Sequence, residues 1–353
     1  MRIAIVGRWG ATCGVSLHAE IVAQTLLEMG YDVRVFAPTL NSANRDWHHI
    51  PLGGDEKIVE RCYDEVDEPK QKARACRHRL VDWDPDMVLV EVYHRLPLTL
   101  IEELRNVTAK GASIVLVLHT TTYEETRPYL EAFPMDKIAV FDKRWLREIL
   151  YPYRNELEDK LVVVPYPCLD PPAKRPNLPF LEEANQPLLV TFGRQPVEEL
   201  ADYINALDIL SQKHSFEYLV VRSDDRNLPY ERPWLKVVHY KLSIEEIYTL
   251  LETAVLHLLP KGWTTKPVIS STLYQTIASL TPTIVPDTRY FETIPVDENG
   301  FGAVVKYWGI KDLVRKLKLL LEDEDARKLV VEKAREFLKT CNRKKIVKKL
   351  IGG

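Results

Sequence analysis

The sequence lacks features that are typical of disulfide-rich, zinc-binding, membrane-spanning and nucleic-acid-binding proteins. It carries five cysteines, an odd number without a C-x-x-C pair, and this spacing favours reduced thiols over a zinc site or a disulfide framework. No apolar stretch approaches the roughly 18 to 20 residues needed to span a bilayer. A formal net charge of −3 over 353 residues gives no reason to expect a nucleic-acid partner. These absences predict a soluble, cytoplasmic protein.

Three further patterns are missing. The first apolar run, residues 1–7, is short and ends in glycine, so we interpret it as a strand and not as a signal peptide. The segment that follows, Gly7–Gly14, does not have the G-x-G-x-x-G spacing of nicotinamide and flavin enzymes. No group of histidine, cysteine, aspartate or glutamate residues has metal-ligand spacing. The sequence therefore predicts no bound metal ion and no cofactor.

What the sequence contains is an alternation of short apolar runs and segments with helical periodicity. In the first half, the apolar runs predict strands at residues 3–6, 32–37, 87–92, 114–118, 138–141 and 161–164. The periodic segments predict helices at residues 15–29, 69–83 and 101–108. Short, fully apolar strands separated by helices are typical of a parallel sheet covered on both faces, and right-handed crossovers make such a sheet doubly wound.

A proline-rich segment divides the chain. Residues 165–187 hold seven prolines, a density that stiffens a linker and prevents a packed element. The alternation then restarts with strands at 188–192, 218–222, 236–238 and 255–259, helices at 197–213 and 244–253, and two terminal helices. The predicted fold class is α/β, with two doubly wound, Rossmann-like parallel-sheet domains facing a cleft, at 1–170 and 188–339.

Histidines at strand ends are candidate functional residues. His119 follows the apolar run 114–118, and open α/β sheets bind ligands at the carboxyl ends of their strands. A histidine is costly there unless something uses it, so we interpret His119 as a candidate catalytic residue. The alternative is an ordinary hydrogen-bonded histidine at a strand end. His94 ends the preceding strand and is a weaker candidate, and we interpret His18 as a surface or packing residue.

The turn after the first strand is a second candidate site. Gly10, Cys13 and Gly14 lie between that strand and the first helix. Glycines let the backbone come close to a ligand, and the N–H groups at a helix start favour an anion. We predict an acceptor or phosphate loop at these three residues. An ordinary turn between a strand and a helix explains the glycines equally well.

Three segments of the second half resemble motifs of the GT-B glycosyltransferases, in particular glycosyltransferase family 4. Residues 275–284, Gln-Thr-Ile-Ala-Ser-Leu-Thr-Pro-Thr-Ile, are similar to that family's E-A-M-A-x-G-x-P-V-V segment. Gly193 and Arg194 are similar to the start of its G-R-x-x-x-x-K-G segment, with Glu199 at the lysine position. Glu292 lies in a segment that looks like the family's P-E-V-V. The resemblance in layout extends over nearly the whole chain.

The chain departs from this family at an acidic pair, E-x7-E, whose two positions are Pro267 and Gln275 here. The second glutamate of the family accepts hydrogen bonds from the ribose of the donor. An amide accepts such a bond without the charge, and charge-assisted bonds contribute about 1.5 to 3 kcal/mol against about 1 kcal/mol for neutral ones. Gln275 is therefore predicted to be a weaker replacement.

The resemblance also implies roles for individual residues. A nucleotide-diphosphate sugar would bind the C-terminal domain through Arg194, Lys266, Ser271, Thr272, Gln275 and Glu292. His119 would lie beside the transferred sugar, and the acceptor would bind near the loop with Gly10, Cys13 and Gly14. The resembled fold places the last helix, 340–353, back on the N-terminal domain.

The leading hypothesis is a glycosyltransferase that moves a sugar from a nucleotide-diphosphate-sugar donor to an unidentified acceptor. Retention of configuration and independence from metal ions are implied by the resemblance alone. The alternative is a catalytically degenerate GT-B relative that binds a nucleotide or a partner, because the acidic pair is lost. A two-domain NAD-dependent enzyme is disfavoured by the absent fingerprint. The basic tail, residues 343–349, predicts a solvated helix face or a weak peripheral contact with an anionic membrane.

Overall fold

The structure is a computed structural model that describes residues 1–43, 57–181 and 186–352. These residues form two compact units. Unit 1 comprises Met1–Pro167, Lys266–Ser271 and the residues from Cys341 onward, and unit 2 comprises Cys168–Thr265 and Thr272–Thr340. Each unit is an α/β structure built on one parallel sheet.

Unit 1 has a sheet of seven strands. In chain order they are β1 (Arg2–Val6), β2 (Asp32–Pro38), β3 (Val59–Tyr63), β4 (Met87–Val92), β5 (Ser113–Leu118), β6 (Lys137–Val140) and β7 (Leu161–Val163). Their order across the sheet is β3-β2-β1-β4-β5-β6-β7, and every neighbouring pair is parallel. The order reverses between β1 and β4, which makes the carboxyl ends of these strands the expected ligand-binding position of the unit.

The helices of the first half are α1 (Gly14–Glu28), α2 (Leu40–Ala43), α3 (Arg79–Trp83), α4 (Ile101–Ala109), α5 (Tyr123–Ala132) and α6 (Arg154–Leu157). The central strands are almost entirely buried; in β4, for example, all six residues are buried. A parallel sheet covered on both faces requires such strands, because neither face meets water. The edge strands β3 and β7 are partly exposed.

Unit 2 has a sheet of six strands. They are β8 (Leu188–Gly193), β9 (Glu217–Arg222), β10 (Leu235–His239), β11 (Leu256–Leu258), β12 (Thr283–Pro286) and β13 (Val305–Tyr307). The order is β10-β9-β8-β11-β12-β13, again with every pair parallel. The helices that follow α6 are α7 (Ala201–Leu210), α8 (Ile244–Thr253), α9 (Ser271–Thr276), α10 (Ile310–Glu322), α11 (Glu324–Leu338) and α12 (Arg343–Leu350). The strand order of this sheet reverses between β8 and β11.

Alternate residues of β8 belong to two different cores. Leu189 packs in a cluster that includes buried residues of α7 and α10, whereas Leu188, Val190 and Phe192 pack in a cluster that includes residues of α8. The two faces of this sheet are therefore both covered by helices. The structure confirms the predicted fold class of two Rossmann-like parallel sheets.

The proline-rich segment differs from the predicted linker. Within this segment, the described residues from Cys168 onward belong to unit 2, and residues 182–185 lie outside the described part of the chain. Leu178 is buried in the core beside α8, and Phe180 and Leu181 pack against that core. The prolines thus alternate with apolar side chains that attach the segment to unit 2.

The predicted helix at 69–83 is wrong for most of its length, because α3 begins only at Arg79. The backbone of Arg77 and His78 has positive φ values of 52° and 67°, which a right-handed helix cannot contain. A disulfide between Cys62 and Cys76 also connects the segment to the end of β3. Tertiary connections therefore override the helical periodicity here.

This disulfide corrects the expectation of reduced thiols. Cys62 and Cys76 are bonded across a separation of 14 residues, and Cys168 and Cys341 are also disulfide-bonded. Cys13 is the one free cysteine among the five, all of which lie in the described ranges. Scattered spacing could not reveal the pair, because β3 was not predicted and no signal placed its end beside residue 76.

Oxidised protein unfolded without reductant should accordingly expose one reactive thiol per chain, that of Cys13. We expect Cys62→Ala/Cys76→Ala to lower the free energy of unfolding by about 3 kcal/mol, because the bond restricts the unfolded chain over a loop of this length. Denaturant titration would measure the loss, with Cys13→Ala as the control that changes nothing. Five reactive thiols in the parent protein would contradict the assignment.

The last helix belongs to unit 1. In α12, Ile346, Val347 and Leu350 are buried, while Arg343 contacts α1 through a 2.9 Å ion pair with Glu28. The four lysines of this helix are exposed. Within the described ranges, the structure contains no helix whose length and apolar character would let it cross a bilayer.

Candidate functional site

A buried carboxylate connects two histidines at the carboxyl edge of the sheet in unit 1. Glu91 lies near the end of β4 and is 0% exposed. His18 of α1 places Nδ1 2.9 Å and 3.1 Å from the two carboxylate oxygens. His119, directly after β5, places Nε2 2.6 Å from Oε2. We call these three residues the histidine–glutamate cluster.

The surroundings of this cluster are tight and apolar. A Cβ at position 7 would lie 2.8 Å from Cγ of Glu91, so only glycine at the end of β1 lets the carboxylate pack there. The ring centre of Phe141 lies 5.4 Å from that of His18 and 4.9 Å from that of His119. Electrostatic interactions are stronger in such surroundings than at the protein surface.

The charges within the cluster follow from its geometry. Burial alone would raise the pKa of Glu91, but the two histidines outweigh this effect and lower it to about 2. An ionised carboxylate only accepts hydrogen bonds, so Nδ1–H of His18 and Nε2–H of His119 are the donors. Burial lowers the pKa of His119, and the bond to Glu91 offsets only part of this effect. His119 is therefore mainly neutral at pH 7.

Each residue of the cluster offers one atom that could bind a metal ion, and these three atoms lie within 4.8 Å of one another. Among the described residues, the cluster is therefore the group to consider as a metal site. Two ligands of a tetrahedral zinc ion are about 3.3 Å apart, given metal–ligand distances of about 2.0 Å. The 2.6 Å between His119 and Glu91 is shorter and matches a charge-assisted hydrogen bond. We therefore interpret the cluster as hydrogen-bonded.

A second group of buried charges lies at the same edge of the sheet. Arg8, after β1, donates two hydrogen bonds of 2.5 Å and 3.0 Å to the carboxylate of Glu65. Nε of Arg95, after β4, lies 3.1 Å from the same carboxylate. The Arg8 guanidinium also lies 4.5 Å from the ring centre of Tyr93, a cation–π distance. Two guanidinium groups thus share one buried carboxylate.

The loop predicted to bind phosphate is occupied by a carboxylate of the chain itself. The N–H of Gly10 donates to Oε1 of Glu20 at 2.9 Å, and the N–H of Ala11 donates to the Ser16 hydroxyl at 2.9 Å. That hydroxyl in turn donates to Oε1 of Glu20 at 2.7 Å. The N–H groups of Gly10 and Ala11, in the loop predicted to bind an anion, therefore already have hydrogen-bond acceptors within the chain.

The other two loop residues lie at the start of α1. Cys13 is half-buried, with Sγ 3.9 Å from a guanidinium nitrogen of Arg8. The carbonyl of Gly14 accepts a 2.7 Å hydrogen bond from Tyr166. A Cβ at position 14 would lie 3.3 Å from the side chain of Ser271, so the helix start packs closely against this serine. Ser271 accordingly belongs to unit 1.

In unit 2, two cations and one carboxylate are neighbours beyond β8 and β11. Arg194 follows β8 and Lys261 lies in the loop after β11. Burial lowers the pKa of Lys261, the charge of Glu199 raises it, and the charge of Arg194 lowers it. A Cβ at Gly262 would lie 2.7 Å from the Glu199 carboxylate, which therefore packs against the backbone beside Lys261. The charge of a lysine from the loop after β11 thus partly compensates that of Glu199, which stands at the lysine position of the resembled motif.

The remaining predicted donor residues lie in two places. Lys266 is in unit 1, with Nζ 3.5 Å from Glu125. Glu292 is exposed and accepts a 2.9 Å hydrogen bond from Arg289. The carbonyl of Gln275, in α9, accepts a 2.9 Å hydrogen bond from Tyr248. The structure therefore groups Lys266 with Ser271 in unit 1 and Arg194, Thr272, Gln275 and Glu292 in unit 2.

Sequence interpretation missed Glu91 although a signal was present. A glutamate interrupts the run Met87–Val92, and a carboxylate inside a strand predicted to be buried on both faces requires a partner. Of the two alternatives for His18, a surface or a packing residue, the structure supports packing, and the bond of His18 to that carboxylate is the part that the sequence does not indicate. No pattern connected Arg8 with Glu65, because the two are 57 positions apart.

The sequence matches no protein-family model. The structure is similar over its length to a glycosyltransferase from Rickettsia africae ESF-5, with a TM-score of 0.65, 14% identity and coverage of 100% of this chain and 99% of that chain. An Escherichia coli trehalose-6-phosphate synthase bound with UDP-2-fluoro glucose matches with a TM-score of 0.66, 11% identity and coverage of 99% and 98%. HepE of Anabaena in complex with UDP-glucose matches with a TM-score of 0.62, 12% identity and the same coverage. The chain therefore has the fold of the GT-B glycosyltransferases.

Proposed function

We propose that this protein transfers a sugar from a nucleoside-diphosphate-sugar donor to an acceptor, with retention of configuration and without a metal ion. The observation that carries the proposal is the match of the whole chain to GT-B glycosyltransferases, two of which were solved with UDP-sugars. At this level of identity the match concerns the fold. Retention and metal independence rest on the resemblance of residues 275–284 and Arg194 to family 4.

In this proposal, unit 2 binds the donor diphosphate. Arg194 and Lys261 follow neighbouring strands at the point where the strand order reverses, which is where α/β sheets bind ligands. A guanidinium forms paired hydrogen bonds with phosphate oxygens, and an ammonium adds charge. These two cations stabilise the diphosphate as it leaves, in the way that preorganised charges stabilise developing negative charge. Gln275 binds the ribose and Thr272 lies beside the phosphates.

Unit 1 carries the acceptor side in the same proposal. His119 and the buried charges of Arg8 and Arg95 lie at the carboxyl edge of its sheet. His119, mainly neutral at pH 7, is suited to contact a sugar hydroxyl. Because Glu20 already accepts hydrogen bonds from the loop, we place the acceptor at His119 and not on the N–H groups of Gly10 and Ala11.

Replacing Arg194 tests the diphosphate assignment. Arg194→Ala should weaken nucleoside-diphosphate binding by about 1.5 to 3 kcal/mol, the contribution of a hydrogen bond to a charged group. Arg194→Lys should lose less, because it keeps the charge without the planar fork. Calorimetric titration measures both affinities.

The matched control is Arg226→Ala, which removes an arginine of unit 2 whose side chain is 75% exposed and should leave the affinity unchanged. If Arg194→Ala binds the nucleotide as tightly as the parent protein, the diphosphate does not contact this arginine and the assignment is wrong.

The nucleotide is identified by thermal unfolding with UDP, GDP, ADP, CMP or NAD. A ligand at a hundred times its dissociation constant stabilises the folded protein by about 2.7 kcal/mol. The proposal requires stabilisation by one nucleoside diphosphate and none by NAD. Stabilisation by NAD alone would support a dinucleotide enzyme instead.

A nucleotide-binding relative without transferase activity is the second candidate. The specific observation in its favour is that both acidic positions are lost, at Pro267 and Gln275. Glu292, the remaining predicted acidic residue, is paired with Arg289. This candidate predicts the same thermal stabilisation but no consumption of any sugar nucleotide.

A further inference from the structure

We propose that Glu91 is a positioning residue for His119. It holds the imidazole by Nε2–H, so that Nδ1 is the ring nitrogen that accepts a hydrogen bond from a substrate hydroxyl. The role of Nδ1 toward substrate rests on the proposed function. The tautomer and its dependence on Glu91 are properties of unit 1 alone.

The backbone and the side chain of His119 are held by the same strand. The N–H of His119 donates to the carbonyl of Val92 at 2.9 Å, which continues the parallel ladder between β4 and β5. One residue earlier in β4, the carboxylate of Glu91 accepts from Nε2 of the ring at 2.6 Å. Strand β4 therefore holds both the backbone and the imidazole ring of His119.

The carboxylate is itself held in place. Nδ1–H of His18 bonds it from α1, and the absence of a side chain at Gly7 leaves the space in which it lies. Rotation of the carboxylate would break the bonds to His18 and His119 together. The carboxylate of Glu91 is thus held in one orientation, and its bond to Nε2–H favours one tautomer of His119.

The second ring nitrogen of His119 has a defined chemistry as a result. Among the described residues, Nδ1 of His119 has no hydrogen-bond partner, whereas Nε2 has Glu91. A neutral imidazole protonated at Nε2 can only accept at Nδ1, so its matching group is a donor such as a sugar hydroxyl. The charged or titratable neighbours of this ring are Glu91, His18 and Arg8.

A purely structural role is the competing explanation. Replacing buried ion pairs with apolar residues often leaves stability unchanged or higher, so stability alone does not account for a buried carboxylate with two histidines. A structural role predicts that Glu91→Gln lowers stability without a specific effect on the proton positions of His119. The positioning role predicts a change at the ring itself.

Nitrogen-15 NMR of the histidine rings measures the tautomer directly. The parent protein should show His119 protonated at Nε2 and not at Nδ1 at pH 8, with the signal assigned by its loss in His119→Gln. Glu91→Gln, which keeps the side-chain size, should give a mixture of tautomers, because an amide both donates and accepts. His257, buried in unit 2, provides an internal control signal that stays unchanged. Protonation of neutral His119 at Nδ1 in the parent, or an unchanged ring in Glu91→Gln, would overturn the proposal.

A kinetic arm connects the tautomer to the reaction. We expect Glu91→Gln to lower kcat at least tenfold with KM for the donor within twofold, and Glu91→Asp to restore part of kcat together with the Nε2–H tautomer. Circular dichroism and thermal unfolding verify that each variant folds. A loss of kcat with an unchanged tautomer would overturn positioning. If the parent turns over no donor, the proposed function fails, and the NMR result still decides whether Glu91 positions His119.

Discussion

His119→Ala should lower turnover of the sugar nucleotide by about a hundredfold or more, the usual contribution of a histidine that exchanges protons or stabilises charge at a reacting group. Its affinity for the nucleoside diphosphate should stay within twofold, because the nucleotide is assigned to residues of unit 2. Steady-state kinetics combined with calorimetric titration of the same variant separate the two quantities.

The matched control is His94→Ala. His94 also follows a strand of unit 1, after β4, but its side chain is exposed and belongs to no buried cluster. We expect a much smaller effect on turnover from this variant. If His94→Ala abolishes turnover while His119→Ala retains it, His119 is not the catalytic histidine and the assignment is wrong.

Acid should destabilise unit 2 through His257. This residue of β11 is 1% exposed, Nε2 has no hydrogen-bond partner in the described structure, and burial lowers its pKa from 6.5 to about 3. The folded state excludes the proton that the unfolded chain binds below pH 6.5. Stability is therefore unaffected above that pH and falls by about 1.4 kcal/mol per pH unit between 6.5 and 3, roughly 4 to 5 kcal/mol in total.

His257→Leu should remove this part of the pH dependence. Leucine has a similar volume, and Thr283, whose hydroxyl lies 3.4 Å from Nδ1, keeps a 3.0 Å hydrogen bond to the Thr281 carbonyl. Denaturant titrations of parent and variant at pH 7 and pH 4.5 give the difference, in which the carboxylates common to both cancel. His239→Gln, at the exposed end of β10, controls for loss of a surface imidazole. Equal slopes for parent and His257→Leu would show that His257 is protonated in the folded protein.

The fold could be predicted because its determinants are local. The apolar runs of β1 and β5 are continuous, and α8 begins and ends where predicted, at Ile244 and Thr253. A capping box at Ser243 and Glu246 fixes the start of that helix. Signals of this kind lie within a few residues of the element that they specify.

The errors arise where distant residues decide the structure. The predicted helix at 69–83 is replaced by a segment that a disulfide connects to β3. The sequence does not predict helix α5, although its start is capped by Thr122. Two charged residues, Glu60 and Arg61, interrupt the apolar pattern of β3, and β13 has only three residues. The density of prolines predicts a stiff linker at 165–187, and the sequence does not show which core the apolar residues of this segment contact.

Of the candidate site, the sequence indicates only the residues at strand ends. His119 and Arg194 could be chosen because each follows an apolar strand, and strand ends meet at one edge of a sheet. The partners of these residues come from elsewhere: Glu91 from the neighbouring strand, His18 from α1, and Glu199 and Lys261 from separate segments of unit 2. Such groupings depend on strand order, which the sequence alone did not determine.

Release of nucleoside diphosphate from a sugar nucleotide is the most direct test of the central claim. The parent protein is incubated with UDP-, GDP- and ADP-sugars, with and without EDTA, and the nucleotides are separated by anion-exchange chromatography. We predict release from one donor, unaffected by EDTA, and strongly reduced in both Arg194→Ala and His119→Ala. The absence of release from every donor, with no nucleoside diphosphate bound by the parent protein, would contradict the account.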